Sequence, residues 1–255
     1  MMRRYILLII LISLFTAVKA QETVSDEIEF SADRPGMATG TTLMQHKKVM
    51  FEGGFEFNYS EGWNSHLLPT ALIRWGVLPK MELRLQYDGS LDREGSWLYN
   101  AGPLTIGTKV ALFDASQSKW APNIAFMANF AIPVRKDAGE LLPMFHFMFD
   151  KDLCNWLNVG FDAGVEWDTF FDNSPATFLA LCLGFSITDD LGAFVESYNY
   201  IIPTQGNGAE GDCNIDFGFN YMVSPRVQLD VYSSVNCQNP AQSSNIGVGV
   251  AWLIN

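Results

Sequence analysis

The stretch that decides the fold is WLNVGFDAGVEWD, residues 156–168. Apolar residues occupy every second position from Leu157 to Trp167, and polar or small residues lie between them. Side chains alternate between the two faces of a β-strand, so this stretch predicts a strand with one apolar and one polar face. A transmembrane β-barrel is built from such strands, because one face meets lipid and the other a polar lumen, with aromatic residues at both interfaces.

The same pattern recurs from Val49 to Ile254 and predicts an all-β fold, a transmembrane antiparallel up-and-down β-barrel of about twelve strands. The predicted strands are 48–59, 66–77, 80–88, 101–113, 120–132, 141–150, 155–168, 175–187, 191–202, 211–223, 226–236 and 244–254. An even number of strands puts both termini on the same side of the membrane, which we predict to be the periplasmic side.

Turn lengths and aromatic residues predict the orientation of this barrel. Short connections are expected at 78–79, 114–119, 151–154, 188–190 and 224–225, and longer ones at 60–65, 89–100, 133–140, 169–174, 203–210 and 237–243. Short turns belong on the periplasmic side and long loops outside. The outer rim would then carry Tyr59, Trp63, Trp97, Tyr99, Trp167, Tyr198 and Tyr200, and the inner rim Trp75, Trp120, Trp156, Tyr221 and Trp252.

A soluble β-sandwich or a lipocalin-like barrel would show the same alternation along its strands. Such a protein buries its apolar face and exposes its polar face, which is the reverse of a membrane barrel. Aromatic residues at the strand ends and the alternation of short and long turns favour the membrane barrel over these soluble folds.

The first twenty residues have the features of a secretory signal peptide, with Arg3 and Arg4 before an apolar stretch. We therefore divide the chain into a signal peptide at 1–20, an N-terminal segment at 21–47 predicted to lie at the periplasmic mouth, and a barrel at 48–255. Removal of residues 1–20 removes three of the 16 bases and none of the 28 acids, which leaves a formal charge of −15. This charge argues against nucleic-acid binding, which needs basic patches.

Assigning the polar faces to the lumen collects a set of charged side chains. They are Glu52, Glu56, Arg74, Glu82, Arg84, Lys109, His146, Asp162, Glu166, Glu196, Asp216 and Asp230. A base facing lipid at the bilayer midplane would cost roughly 2–4 kcal/mol, which favours a lumen position. Adjacent strands predict the pairs Glu52 or Glu56 with Arg74, and Arg74 or Arg84 with Glu82.

Two interpretations of these lumen charges are open. They fill a narrow barrel with ion-pair ladders, or they line a selective pore with bases on the early strands and acids on the later ones. The second arrangement would favour small cations or polar solutes. A lumen that also contains methionine residues, behind an aromatic rim, could equally accept apolar solutes.

Sequence signatures of catalysis are weak. There is no G-x-S-x-G motif, and the three histidines have no metal-ligand spacing. Asn64-Ser65-His66 is the one local group that could serve an outer-membrane lipid hydrolase, but adjacent strand residues point to opposite faces. We therefore predict no enzymatic activity, no cofactor and no metal.

The cysteines offer one geometric relation. Cys213 and Cys237 lie twelve residues on either side of Pro225, the centre of a predicted hairpin, so their side chains should face each other across the ladder. Export permits oxidation, and the pair forms either a disulfide or two free thiols. Cys154 and Cys182 have no comparable symmetry and are predicted to be unpaired.

A family resemblance rests on three stretches: SADRPGMATG at 31–40, KVMFEGGFE at 48–56 and LPKMELR at 78–84. They resemble the outer-membrane transporter family named for the meta-pathway of phenol degradation, in which an Asp-Arg-Pro segment precedes a Gly-Phe-Glu-like first strand. The resemblance extends from about residue 30 to the C-terminus. It implies an outer-membrane channel or transporter, with hydrophobic or aromatic compounds among its substrates.

The motif Asp33-Arg34-Pro35-Gly36 suits a fixed turn, because Pro35 sets φ and Gly36 permits positive φ. Arg34 is expected to pair with a lumen acid such as Glu82. The segment then forms a plug or constriction, or it is an ordered leader that only helps to close the barrel.

Together these features predict a channel of the bacterial outer membrane that passes small solutes by passive or facilitated diffusion. The expected partners are outer-membrane lipids, a small-molecule solute and the barrel assembly machinery. The alternatives are a structural barrel with a closed lumen and, less favoured, the lipid hydrolase.

Overall fold

The computed structural model describes residues 30–60, 63–94, 96–115, 118, 120–134, 141–167, 174–204, 208–238 and 243–255. Within these strands, the side chains of 59–60, 63–69, 92–94, 96–98, 208 and 243 are not described. The predicted signal peptide lies outside the described residues, as does the segment up to residue 29. No helix in the described part of the chain is long and apolar enough to cross a membrane.

The chain forms the predicted twelve strands in a closed antiparallel barrel in which each strand pairs with its neighbours in sequence and β1 closes on β12. The strands are β1 (Val49–Ser60), β2 (Trp63–Leu78), β3 (Met81–Glu94), β4 (Ser96–Phe113), β5 (Asn123–Ile132), β6 (Leu142–Cys154), β7 (Leu157–Trp167), β8 (Pro175–Ser186), β9 (Leu191–Thr204), β10 (Gly208–Ser224), β11 (Val227–Asn236) and β12 (Ser243–Leu253). Met50 lies opposite Leu253, so the barrel begins and ends at the same rim.

The barrel is polar inside and apolar outside. Its most completely buried large side chains include Arg74, Lys109 and Asp216, while Phe219 on β10 is 50% exposed. Outward apolar side chains alternate with buried inward ones along the strands, as a lipid-facing wall requires. The buried inward side chains are mostly polar or charged, except on strands such as β8, where Ala176, Phe178 and Ala180 are buried. The soluble sandwich and the lipocalin-like barrel are therefore wrong, because either would bury the apolar face.

The predicted long loop at 89–100 is wrong, since β3 and β4 continue as a paired ladder up to a single connecting residue. Asp, Gly and Ser residues in this stretch have low strand propensity, which made it resemble a loop. Ladder hydrogen bonds need no apolar face, so two polar strands can pair beyond the apolar wall. The connections at this rim are consequently not uniformly longer than those at the other.

The prediction that Tyr198 belongs to the lipid-facing aromatic belt at the extracellular end is also wrong. Its side chain faces the lumen and is only 9% exposed. Residues two apart share a strand face, so Tyr198 and Tyr200 both lie on the same face as Glu196. Trp75 and Trp252, which were expected in the aromatic belt at the periplasmic end, are half exposed on the outer surface of the barrel, as a lipid-facing belt requires.

The N-terminal segment enters the barrel before β1 begins. Near the rim its backbone pairs with β2, where Lys47 N–H donates to the Gly76 carbonyl at 2.7 Å and Gly76 N–H donates to the Lys48 carbonyl at 3.0 Å. Gly76 has no side chain, which leaves room for this close approach of the backbone at Gln45. Lys47 has φ 68°, a turn conformation that redirects the chain into β1.

Candidate functional site

The barrel wall binds the N-terminal segment chiefly through the segment's own backbone. Carboxylates on five strands accept its N–H groups: Glu52 from Asp33 and Arg34 (3.1 and 3.0 Å), Glu196 from Met37 and Ala38 (2.9 and 3.0 Å), Asp162 from Thr39 (3.1 Å), Asp150 from Thr41 (3.0 Å) and Glu82 from Met44 (2.6 Å). Hydrogen bonds to ionised acceptors are roughly twice as strong as neutral ones. These acids lie on β1, β3, β6, β7 and β9, so the segment spans the lumen from wall to wall.

The segment's side chains add a cluster of opposite charges around Asp33. Its carboxylate lies 3.0 Å from Lys109 Nζ and 3.3 Å from Arg74 Nη1, and it also contacts Arg84. Burial alone would raise the pKa of Asp33, but the charges of Arg74, Lys109 and Arg84 together hold it well below its usual range. Asp33 is therefore an anion, and it supplies the N-terminal segment with a negative charge opposite three buried cations.

Arg74 on β2 connects this cluster to both the wall and the segment. Its guanidinium binds Glu52 at 3.1 Å and Glu82 at 2.9 Å, so the structure places it between the acids of its two neighbouring strands. It also donates to two segment carbonyls, Ser31 at 2.8 Å and Thr42 at 3.0 Å. Glu56, the alternative partner, instead accepts a hydrogen bond from the Tyr232 hydroxyl.

The sequence analysis expected Arg34 to pair with an acid such as Glu82, but Arg34 instead binds Asp230 on β11. Its Nη2 lies 3.1 Å from Oδ1 and its Nε 3.3 Å from Oδ2, a two-point contact. The side chain reaches Asp230 between Gly54 and Gly249, which face each other on β1 and β12. A β-carbon at either glycine would collide with the guanidinium. The space left by these two glycines, and not charge alone, selects the partner.

Gly36 has φ 106°, the positive value predicted from the turn motif. A β-carbon there would lie 3.2 Å from the Phe194 ring and 3.3 Å from Glu196 Oε2, so the position is restricted by both backbone and space. This turn directs the next residues, Met37 and Ala38, toward the Glu196 carboxylate.

His146 on β6 is held between two carboxylates, with Nδ1 2.8 Å from Asp162 and Nε2 3.0 Å from Glu166. Asp162 also accepts the Thr39 N–H, so the histidine contacts the segment through a shared acid. The arrangement presents both ring nitrogens to carboxylates and leaves no free nitrogen for a base or a metal ligand. In the described residues no group of three or more His, Cys, Asp or Glu side chains could hold a metal ion.

The inner wall also has an aromatic cluster beside the segment. Phe178 on β8 is 1% exposed, lies 5.1 Å from the Tyr200 ring and 5.3 Å from the His146 ring, and packs together with Tyr198 and Ala38. The sequence analysis did not predict that this cluster faces the lumen. The signal was present, because Glu196 and Tyr198 are two residues apart on β9 and therefore share a face.

In the lumen, the arginine and lysine side chains of the wall lie on one part of the barrel, and most of the acids that do not pair with them lie on another. Bases on β2, β3 and β4 converge with Asp33, Glu52 and Glu82, whereas Asp162, Glu196, Asp216 and Asp230 come from β7, β9, β10 and β11. Asp216 lies directly opposite Glu196 on the next strand. Asp150, which the sequence analysis did not single out, is a further anchor of the segment because Thr41 donates to it through both N–H and hydroxyl.

The remaining candidate residues lie apart from this network. Cys213 and Cys237 face each other at the end of the β10–β11 hairpin with Sγ atoms 2.9 Å apart as thiols, so the disulfide stays a prediction. Ser65 and His66 occupy successive positions of β2, and their side chains lie outside the described part of the chain.

Residues 32–254 match the family model described as "Putative MetA-pathway of phenol degradation". The chain belongs to this family. The match covers both the segment inside the lumen and the whole barrel. Comparison with curated proteins gives no significant match.

Solved structures share the fold of this family member at low sequence identity. An outer membrane channel from Pseudomonas putida F1 superposes with a TM-score of 0.63 at 10% identity, over 86% of this chain and 100% of that one. The NanC porin gives a TM-score of 0.57 at 9% identity, over 80% of this chain and 98% of the porin. The fold is thus that of bacterial outer-membrane barrels.

Proposed function

We propose that the protein is a channel of the bacterial outer membrane whose lumen is closed by its own N-terminal segment in the state described here. The observation that carries the proposal is the path of that segment, which hydrogen-bonds to carboxylates on opposite sides of a closed, polar-lined barrel. Membership of the family and the fold shared with two outer-membrane channel structures support it. The rim with both termini then faces the periplasm, from which the segment enters.

Small solutes would pass by passive or facilitated diffusion once the segment yields, and no covalent step is needed. The segment is held by hydrogen bonds and ion pairs, which are individually reversible. A polar lumen of this kind offers hydrogen bonds to solutes along its wall, whereas the apolar outer surface stays in contact with lipid.

Planar-bilayer conductance of the refolded mature chain tests the proposal. Wild type should give small or rare conductance steps, and Arg34→Ala should give larger or more frequent ones because the segment loses its contact with Asp230. Arg226→Ala is the matched control, since Arg226 is an exposed arginine in the β10–β11 turn. Silence of both wild type and Arg34→Ala, from barrels shown to be folded, would instead favour a structural barrel.

The aromatic cluster of Phe178, Tyr198 and Tyr200 favours a second candidate substrate class, small aromatic compounds. Once the segment that covers these rings is displaced, such solutes would stack on them while their polar group meets the carboxylates nearby. Liposomes containing the Arg34→Ala protein should then take up phenol-sized solutes faster than sugars of similar mass, and Phe178→Ala should remove the difference. Equal uptake of both solutes would exclude this class.

A further inference from the structure

Glu196 on β9 and Asp216 on β10 form a pair of buried acids on the lumen wall. They lie directly opposite each other in the ladder, and their exposed fractions are 1% and 0%. Directly opposed positions bring side chains on the same face within about 5 Å at the β-carbon. The two carboxylates therefore share one small region of the wall.

No base of the described chain compensates this pair. Arg34 binds Asp230, while Arg74, Arg84 and Lys109 all bind Asp33 and Glu82. Glu196 accepts the N–H groups of Met37 and Ala38. In the described residues, neither carboxylate oxygen of Asp216 has a hydrogen-bond partner.

Two carboxylates taken out of water without a cation are costly, because each loses its hydration and they repel each other. Asp216 is completely buried, and among the described residues neither of its oxygens has a hydrogen-bond partner, so this part of the wall presents carboxylate oxygens that a cation would stabilise. We propose that Glu196 and Asp216 bind a small monovalent cation, such as a potassium ion or the ammonium group of an amine, and that they make the lumen cation-selective. The inference rests on the proposed channel function and names the class of solute.

The surrounding groups fit a monovalent cation better than a divalent one. Ser234 lies opposite Asp216 on β11, and its hydroxyl is 3.0 Å from the Tyr198 hydroxyl, so neutral oxygens adjoin the two carboxylates. An ammonium group has three donors for such acceptors. A calcium ion would need six to eight oxygen ligands. Glu196 already accepts two N–H groups of the segment, which shows that this carboxylate is oriented toward donors in the lumen.

Reversal potentials in a potassium chloride gradient test the selectivity, in wild type and in an Arg34→Ala background. Potassium should permeate faster than chloride. Asp216→Asn should reduce the permeability ratio by roughly threefold to tenfold, because the charge removed lies within a few ångström of the ion. Asp190→Asn, in the exposed turn between β8 and β9, is the matched control and should leave the ratio unchanged. A ratio that is unaltered by Asp216→Asn would overturn the proposal.

Binding of methylammonium to the detergent-purified protein gives a second readout that needs no conduction. The proton resonance of methylammonium should be broader in the presence of wild type or Asp190→Asn than in the presence of Asp216→Asn. Absence of any such difference refutes the cation site, whether or not the barrel conducts. A difference in binding together with silent bilayers would support the site and reject the channel, so the two failures are distinguishable.

Discussion

Arg34 and Asp230, 196 positions apart in the chain, form a two-point ion pair inside the barrel. Asp230 is a wall residue and its side chain is fully buried, whereas the Arg34 side chain is 16% exposed. The pair joins the N-terminal segment to β11, whereas the Asp33 cluster joins it to β2, β3 and β4. Two successive residues of the motif Asp33-Arg34-Pro35-Gly36 are therefore held by different parts of the wall.

A double-mutant cycle on Arg34 and Asp230 measures this contact. Each of Arg34→Ala and Asp230→Ala should lower the free energy of unfolding by about 3–5 kcal/mol, because each leaves the other charge buried and unpaired. The double variant should lose less than the sum, with a coupling of about 0.5–3 kcal/mol. Urea unfolding of the refolded barrel in lipid vesicles gives these values, and strict additivity would show that the two residues do not interact.

The space between Gly54 and Gly249 gives a test that changes no charge. Gly249→Val should displace the Arg34 guanidinium, since even a β-carbon would collide with it. Gly211→Val is the control, because a β-carbon at Gly211 meets no atom within 4 Å. Release of the segment can be measured as faster maleimide labelling of Thr39→Cys in a protein whose native cysteines are replaced by serine. Equal labelling rates in the two valine variants would show that the segment does not depend on this space.

How much of this site could be predicted differs between the barrel and the segment. Alternation of side chains predicts the strands and which residues face inward, because the strand period is independent of the rest of the chain. Thus Glu52, Arg74 and Glu82 were expected on one wall, and their contacts follow from neighbouring strands. The strand ends at 89–100 were predicted wrongly, because these residues are polar and resemble a loop although the pairing of β3 and β4 continues through them.

The partner of Arg34 could not be predicted in this way. The segment has no periodic pattern, so nothing in its sequence states which wall it reaches. Selection of Asp230 over Glu82 depends on the space at Gly54 and Gly249, which β1 and β12 provide; these strands are paired in the barrel but lie at opposite ends of the sequence. The backbone N–H groups that bind Glu196 and Asp162 are carried by every residue except proline, so no residue type marks them.

Asp33 predicts a particular dependence on pH. Its pKa in the folded protein is well below the ordinary value of about 3.9, so the folded state favours the ionised form. The stability that Asp33 contributes is therefore fully present above about pH 5 and is lost as the pH falls through the unfolded value of about 3.9 toward the lower folded pKa. The difference in unfolding free energy between wild type and Asp33→Asn should be constant from about pH 5 to 8 and shrink below about pH 4. A difference that shrinks near neutral pH would contradict the assignment.

The outer wall should tolerate a base near the rim but not at mid-height. Phe219→Arg on β10 should destabilise the barrel by about 2–4 kcal/mol, because the arginine would lie in the lipid core. Tyr221→Arg, two residues closer to the rim on the same face, should cost about 0–1 kcal/mol. Both side chains are 50% exposed, so a barrel surrounded by water would show no difference between the two. Urea unfolding in vesicles measures the pair under one condition.

Cys213 and Cys237 should form a disulfide when the chain is oxidised in the periplasm or by a disulfide reagent in vitro. Their side chains face each other across the β10–β11 ladder, and the Cys237 N–H donates to the Cys213 carbonyl at 2.8 Å. Closing the intervening hairpin should stabilise the barrel by about 2–4 kcal/mol. Thiol titration under denaturing, non-reducing conditions should find two reactive thiols in the oxidised protein, and Cys213→Ser should raise the count to three. Four thiols after oxidation of the wild type would show that the bond does not form.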